Sequence, residues 1–425
     1  MIEISTEELK EILNKHNYTI IDIRSVDAYN GWKMNGEKRG GHIKGARSLP
    51  AKWSDYIDWM EIVRSKGILP EDKLVIYGYG IEKAEKVSSL FERAGYNRVF
   101  LYSKFIDEWS ANSELPMERL ERYSNLVHSQ WLNDLMLNKN PEEFLGDNYV
   151  ICHAHYRNIS DYQKGHIPGS IPLDSLTLES PETWNRRSPK ELEAALCKHG
   201  ITKNSTVILY GRFSFPDNDD PFPGSSAGHL GAIRCAAIML YAGVKDVKIL
   251  NGGIQSCEDD GFELSKEENK PLAVDSFGST IPVRPDIIID IPYAKKLIES
   301  EKGDIVSVRS WNEWIGEVSG YNYIEKKGRI PGAVFGNCGS DAYHMENYRN
   351  LDHTIREYHE IESIWNEAGI SRDKNLAFYC GTGWRGSEAF LNAWLMGWEK
   401  VSIFDGGWIE WSNDINNPIA TGIPE

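Results

Sequence analysis

The sequence predicts an α/β protein of three tandem units, each with a central parallel sheet between helical layers, and three observations predict it. The string GHIKGA at 41–46 returns as GHIPGS at 165–170 and as GRIPGA at 328–333. Ahead of each copy stands a short apolar run, then an arginine with an aromatic residue five places on: Arg24 and Tyr29, Arg157 and Tyr162, Arg309 and Trp314. After each copy come a second apolar run (LVIYG, VILYG, LAFYC), a helical segment, a glycine and a last strand (AGYNRVFLY, AGVKDVKIL, MGWEKVSIF). Landmarks in one order, three times over, mark repeated structural units rather than the general likeness of buried strands.

Each element has its own reason. Runs of four to six residues rich in Val, Ile, Leu and Tyr, separated by helical segments with glycine near their ends, are the pattern of buried parallel strands in layered α/β folds. The glycine-bounded signature fits a turn leading into a strand. The repeats set the units at 1–122, 123–275 and 276–425, with the lysine- and glutamate-rich stretch SKEENKPLAVDSFGST at 265–280 having linker composition.

Composition narrows the function. A chain of 425 residues, 41% hydrophobic, is long enough for several cores. Its formal charge of −16, from 63 acidic against 47 basic residues, repels phosphate backbones and anionic lipid, so neither nucleic acid nor membrane is an expected partner. The opening MIEISTEELKEIL reads as an acidic amphipathic helix, and no run of 18 apolar residues occurs, so a soluble, cytoplasmic protein is expected. The six cysteines, at 152, 197, 235, 257, 338 and 380, lack C-x-x-C spacing and are expected as thiols. The run Cys152-His153-Ala154-His155 has metal-ligating residue types, but alternate residues of a strand face opposite ways, so no metal and no cofactor is expected.

The three copies differ where the second landmark strand ends. Tyr77-Gly78 and Tyr210-Gly211 match Tyr379-Cys380, and only the third copy continues as Cys380, Gly381, Thr382, Gly383, Trp384 and Arg385 into a helical sequence. Open α/β sheets do their chemistry at the carboxyl ends of strands, where helix N-terminal amides attract negative charge. A cysteine there is a candidate nucleophile, with Gly381 and Gly383 letting the backbone curl its N–H groups toward the sulfur and Arg385 adding positive charge. Cys338, in GNCGSD, is expected to be a bystander. In the second unit the matching loop runs FSFPDNDDPFPGSSAG, acidic and proline-rich, the composition of a long surface loop covering a neighbour.

Taken together, these motifs resemble the rhodanese family across essentially the whole chain, in a three-domain arrangement. The resemblance implies three rhodanese-like α/β/α units, the first two inactive and the third catalytic, with Cys380 carrying a persulfide. It also implies persulfide binding by Gly381, Thr382, Gly383, Trp384 and Arg385. The small-molecule donor would be thiosulfate or 3-mercaptopyruvate, and the acceptor cyanide, a thiol or a partner protein. The family's anion-binding E-P-R segment is replaced by SGYNYI at 319–324, so Tyr321 and Tyr323, with Arg309, are candidates for the site wall. The family's D-x-R aspartate is present as Asp22 but is His155 and Ser307 in the later units, so its hydrogen bonds must be made differently there. Thiosulfate sulfurtransferase is the first reading; 3-mercaptopyruvate sulfurtransferase and a sulfur-relay protein are the alternatives. A cysteine phosphatase needs C-x5-R, whereas Arg385 closes C-x4-R.

Overall fold

The structure, a computed structural model, describes residues 2–13, 15, 17–213 and 227–424. The acidic, proline-rich stretch after Phe213 lies outside the described residues, so its expected covering role has no structural counterpart here.

Among the described residues are three five-stranded sheets, every pairing within them parallel. Counted by place in the chain, the strands of each lie in the order first, fifth, fourth, second, third. The third sheet reads Ile288–Ile289, Val401–Phe404, Asn375–Tyr379, Gly303–Ser307, Val334–Phe335 across its width. Its middle strand is therefore the one that ends at Cys380, and Ile305, Ala377, Tyr379 and Phe404 from three adjacent strands pack with Trp408 and Trp411 in the core beneath it. Parallel strands flanked by helices bury both faces, which is why these runs are apolar throughout.

The signature repeats because it fastens the same joint each time. Its second residue stacks on the aromatic that follows the arginine: His42 on Tyr29 at 3.7 Å, His166 on Tyr162 at 3.7 Å, and Arg329 over Trp314 at 5.2 Å. Its isoleucine donates its N–H to the tyrosine closing the second landmark strand, Ile43 to Tyr77 and Ile167 to Tyr210, both at 3.0 Å. The carbonyl of its first glycine accepts from a buried arginine: Gly41 from Arg24 at 2.6 Å and Gly328 from Arg309 at 2.8 Å. In the second unit this arginine is not Arg157, which is exposed with φ 60°; Arg212, just past Tyr210, reaches Gly165 at 3.0 Å instead. The repeat of arginine spacing thus conceals one change of partner.

The chain divides into two compact units, Met1–Ser124 and Asn125–Glu425. The larger holds the second and third sheets as one body, in which helices Ala227–Ala242 and Trp384–Leu395 pack against each other. Each follows the second landmark strand of its own repeat. Helix Ala227–Ala242 is apolar nearly all round apart from His229 and Arg234, as a helix buried on every side must be. Among the described residues no helix is long and apolar enough to cross a membrane.

Candidate functional site

Cys380 leaves the end of the central strand of the third sheet fully buried. Three residues on, Gly383 adopts φ 98°, a left-handed conformation that glycine enters without a Cβ clash, and caps the helix Trp384–Leu395. That turn aims the Gly383 N–H at the Cys380 sulfur, 3.2 Å away. Gly381 is tied to a close approach: a Cβ there would lie 2.7 Å from the ring of Tyr321. Thr382 is buried within the loop. A sulfur at the N-terminal end of a helix, with an amide on it, is placed to carry negative charge.

Arg385 differs from its expected place. Its guanidinium is wholly buried and meets Glu313 bidentately, Nη1 to Oε2 at 2.9 Å and Nη2 to Oε1 at 2.8 Å, with Nη1 also 3.2 Å from the Cys338 sulfur. Its charge is therefore matched by a carboxylate instead of being offered to a donor. Arg309 likewise turns inward, to Glu313 and to the Gly328 carbonyl, and lies over Trp408. Burial alone would push the Glu313 carboxyl up, but the Arg385 guanidinium, helped by Arg309, outweighs it and holds it at about 2. Glu313 thus does in the third unit what Asp22 does for Arg24 in the first. Cys338 donates to the Asp341 carbonyl, and burial pushes its thiol up to about 12 despite Arg385 beside it.

What flanks the loop is aromatic. Tyr343 meets Tyr321 edge-on at 5.4 Å, Tyr321 stacks on Tyr323 at 5.1 Å, and Tyr323 stacks on Trp184 at 4.7 Å. The Trp184 indole N–H donates to the Tyr156 hydroxyl at 3.3 Å, and the Tyr156 ring stands edge-on to Trp384 at 5.4 Å. The wall begins in the third unit, crosses the second and returns to the sulfur loop. Tyr323, 44% exposed, is its open face to solvent. Trp184 holds φ 56°, a conformation uncommon for a bulky residue and frequent at functional positions.

Of the residues read from sequence, Cys380, Gly381, Thr382, Gly383, Trp384, Tyr321 and Tyr323 come together here, while Arg309 and Arg385 lie behind them as a buried clamp on Glu313. Sequence reading missed Tyr156, Glu179, Trp184, Arg234, Glu313 and Asp405. Two carried a signal: Arg234 is the one permanently charged residue of a largely apolar helix, and Glu313 stands four places after Arg309. Cys152, His153 and His155 lie on the second sheet; burial and the charge of Arg212 push His153 far below the usual histidine range, as befits a neutral core residue.

Residues 5–112, 154–260 and 290–414 each match the rhodanese-like domain. The chain is 36% identical over 414 residues to the thiosulfate sulfurtransferase YnjE of Escherichia coli, covering 96% of this chain and 90% of that one. It is 27% identical to the sulfur carrier protein TtuD of Thermus thermophilus, over 61% of this chain and 87% of that one. Among solved structures, EanB bound to ergothioneine superposes with a TM-score of 0.97 at 58% identity, covering 100% of both chains. Others at the same identity show EanB with hercynine, and one holds a cysteine persulfide in a tetrahedral intermediate state with ergothioneine.

Proposed function

The chain belongs to the rhodanese family, and from that premise we propose that this sulfurtransferase carries a sulfane sulfur as a persulfide on Cys380 and passes it to the ring carbon of an imidazole betaine, turning hercynine into ergothioneine. The aromatic wall beside Cys380 carries this reading, in a chain 58% identical over its whole length to a protein whose structures hold both molecules. Hercynine is histidine with a trimethylated amine: a flat ring, a carboxylate and a fixed positive charge with no N–H to donate. Aromatic faces bind such a cation, and an unpaired arginine would repel it. The pairing of Arg385 with Glu313 removes that repulsion.

Two half-reactions follow. In loading, the Cys380 thiolate attacks the outer sulfur of a donor such as thiosulfate; a new S–S bond forms and sulfite leaves with the electron pair of the old one. In transfer, the carbon between the two ring nitrogens gives up its proton to solvent and its electron pair becomes the C–S bond to the outer sulfur. The S–S pair departs with Cys380 as thiolate, which the Gly383 amide supports. The first two units, whose matching strands end at Gly78 and Gly211, carry no persulfide.

A second reading, thiosulfate sulfurtransferase with cyanide or a thiol as acceptor, is favoured by the likeness to YnjE. Steady-state assays crossing thiosulfate and 3-mercaptopyruvate with hercynine, cyanide and a thiol separate the two. Ergothioneine formed with a specificity constant above that for cyanide supports the first reading. Turnover of cyanide with no ergothioneine supports the second.

A further inference from the structure

Behind the wall lies a buried ionic network that the chemistry above does not use. Glu179, fully buried in the second unit just past the short turn Ser175–Thr177, accepts the Trp384 indole N–H on both carboxylate oxygens, at 3.2 and 2.9 Å. It also accepts from Arg234 Nε at 2.6 Å. Arg234, buried in helix Ala227–Ala242, reaches on to Asp405 and, through Nη2, to the Trp184 carbonyl at 3.2 Å. Asp405 follows the strand Val401–Phe404 and takes both the N–H and the guanidinium of Arg186, each at 2.9 Å. One carboxylate therefore ties together Trp384, four residues from the nucleophile, and Trp184, in the middle of the wall. Burying these charges costs several kcal/mol per ion before their mutual attraction offsets it, and apolar side chains would serve packing as well or better. The arrangement is directional in a way that an apolar core is not: the Glu179 carboxylate fixes the Trp384 ring through its N–H, and Arg234 fixes the Trp184 backbone through its carbonyl.

We propose that Glu179 is a positioning residue for the acceptor half of the reaction, holding the Trp384 ring and, through Arg234, the Trp184 backbone at the spacing an acceptor ring requires. The proposal deepens the hercynine reading and rests on it. Glu179 acts only through these neighbours, so loading of Cys380 by a donor does not depend on it.

The charged and titratable groups facing Glu179 are Arg234 and the buried Cys235 thiol from one helix and Asp405 from the third unit, with Arg186, whose backbone bridges to that of Glu179, beyond Asp405; the Trp384 indole is its other partner. Burial pushes the Glu179 carboxyl up to about 7, against the pull of Arg234 and with a smaller push from Asp405. The ionised form grips the indole N–H with a charge-assisted bond; the protonated form grips it less. Glu179→Gln mimics the weaker form at every pH.

The test uses the full chain, with thiosulfate as donor and hercynine as acceptor. In Glu179→Gln, the extra sulfur mass on the Cys380 peptide should accumulate at the wild-type rate, while KM for hercynine rises about tenfold, the size expected for losing one charge-assisted bond. The ratio of variant to wild-type KM, in which the titration of hercynine itself cancels, should be largest above pH 7 and fall toward one below it. Trp384→Phe breaks the same bond from the other side and leaves the ion network whole, so it should reproduce the KM effect even if Glu179→Gln folds poorly. Equal loss of loading and transfer in Glu179→Gln, a KM ratio indifferent to pH, or an unchanged KM in Trp384→Phe overturns the positioning role. Failure of the wild type to form ergothioneine overturns the hercynine reading, and this inference with it; ergothioneine from the wild type and an unaffected variant overturns the inference alone.

Discussion

The end of the second landmark strand in the third repeat and the same place in the first two share a frame and differ in what the frame presents. Tyr77, Tyr210 and Tyr379 stand at matching strand ends, and in the first two the hydroxyl anchors the signature isoleucine in the same way. Beyond the tyrosine the first two repeats carry glycine, and their surroundings have closed on it. A Cβ on Gly78 would lie 2.8 Å from the Ile23 side chain, and one on Gly211 would lie 2.2 Å from the backbone oxygen of Gly228. At Cys380 the chain instead leaves an amide on the sulfur and an aromatic wall beside it. The frame is thus shared by all three repeats, and under the proposed function catalysis is a property of one loop and its neighbours.

The sharpest way to break this contrast is Cys380→Ser. Sulfur transfer should fall to background while thermal unfolding stays within a few degrees of wild type, since the change is small and removes no ion pair. Persulfide mass on Cys338 or Cys152 in that variant would move the nucleophile elsewhere. The next largest effect concerns the clamp. Glu313→Gln leaves the guanidiniums of Arg385 and Arg309 buried without their countercharge and should lower stability by about 3–5 kcal/mol, read by denaturant unfolding. Because the Glu313 carboxyl is held down at about 2, below its ordinary 4.5, the pair's contribution is full above the ordinary range and fades as pH falls toward 2. Acid unfolding of wild type and variant should therefore converge there, and a constant gap across pH would contradict the assignment.

A truncation sharpens the role of the neighbour. Residues 125–425 form one compact body in which Arg186 and Arg234 of the second unit pair with Asp405 of the third. That fragment should keep most of the activity, and residues 276–425 alone should lose it, having left Trp184, Tyr156 and Glu179 behind. Equal activity in both fragments would make the site self-contained. A smaller effect is expected at the wall: Trp184→Ala should raise KM for hercynine by about two- to thirtyfold, from a cation–π contact of about 0.5–2 kcal/mol, with loading of Cys380 unchanged. Smallest of all is Gly78→Cys, which should acquire no persulfide, because the residue would meet Ile23 and not a prepared site.

The repeats, the parallel sheets and the loop cysteine were legible in sequence because they are local: strand periodicity, a glycine-bounded signature and residue order all lie within short windows. The roles of the arginines were not. Arg385 carries the right charge at the right spacing for an anion, yet which way a guanidinium points depends on a carboxylate 72 residues earlier in the chain, and Glu313 is invisible as its partner until the fold brings them together. Arg157 kept the repeat spacing while Arg212 took over the bond, since the Gly165 carbonyl needs a guanidinium and not a particular place in the chain. Two of the six rings of the aromatic wall, Tyr156 and Trp184, belong to the second unit, and contacts between units leave no periodic trace. SGYNYI at 319–324 was the exception, because the loss of the expected arginine drew attention to the tyrosines that do flank the site.

The proposed function turns on one transfer, from the sulfur on Cys380 to a carbon of hercynine. Protein loaded with thiosulfate, freed of excess donor and mixed with a molar equivalent of hercynine provides a single turnover that can be followed at both ends by mass spectrometry. The extra sulfur on the Cys380 peptide should disappear in step with the appearance of ergothioneine, mole for mole. A persulfide that survives hercynine but is discharged by cyanide would contradict it.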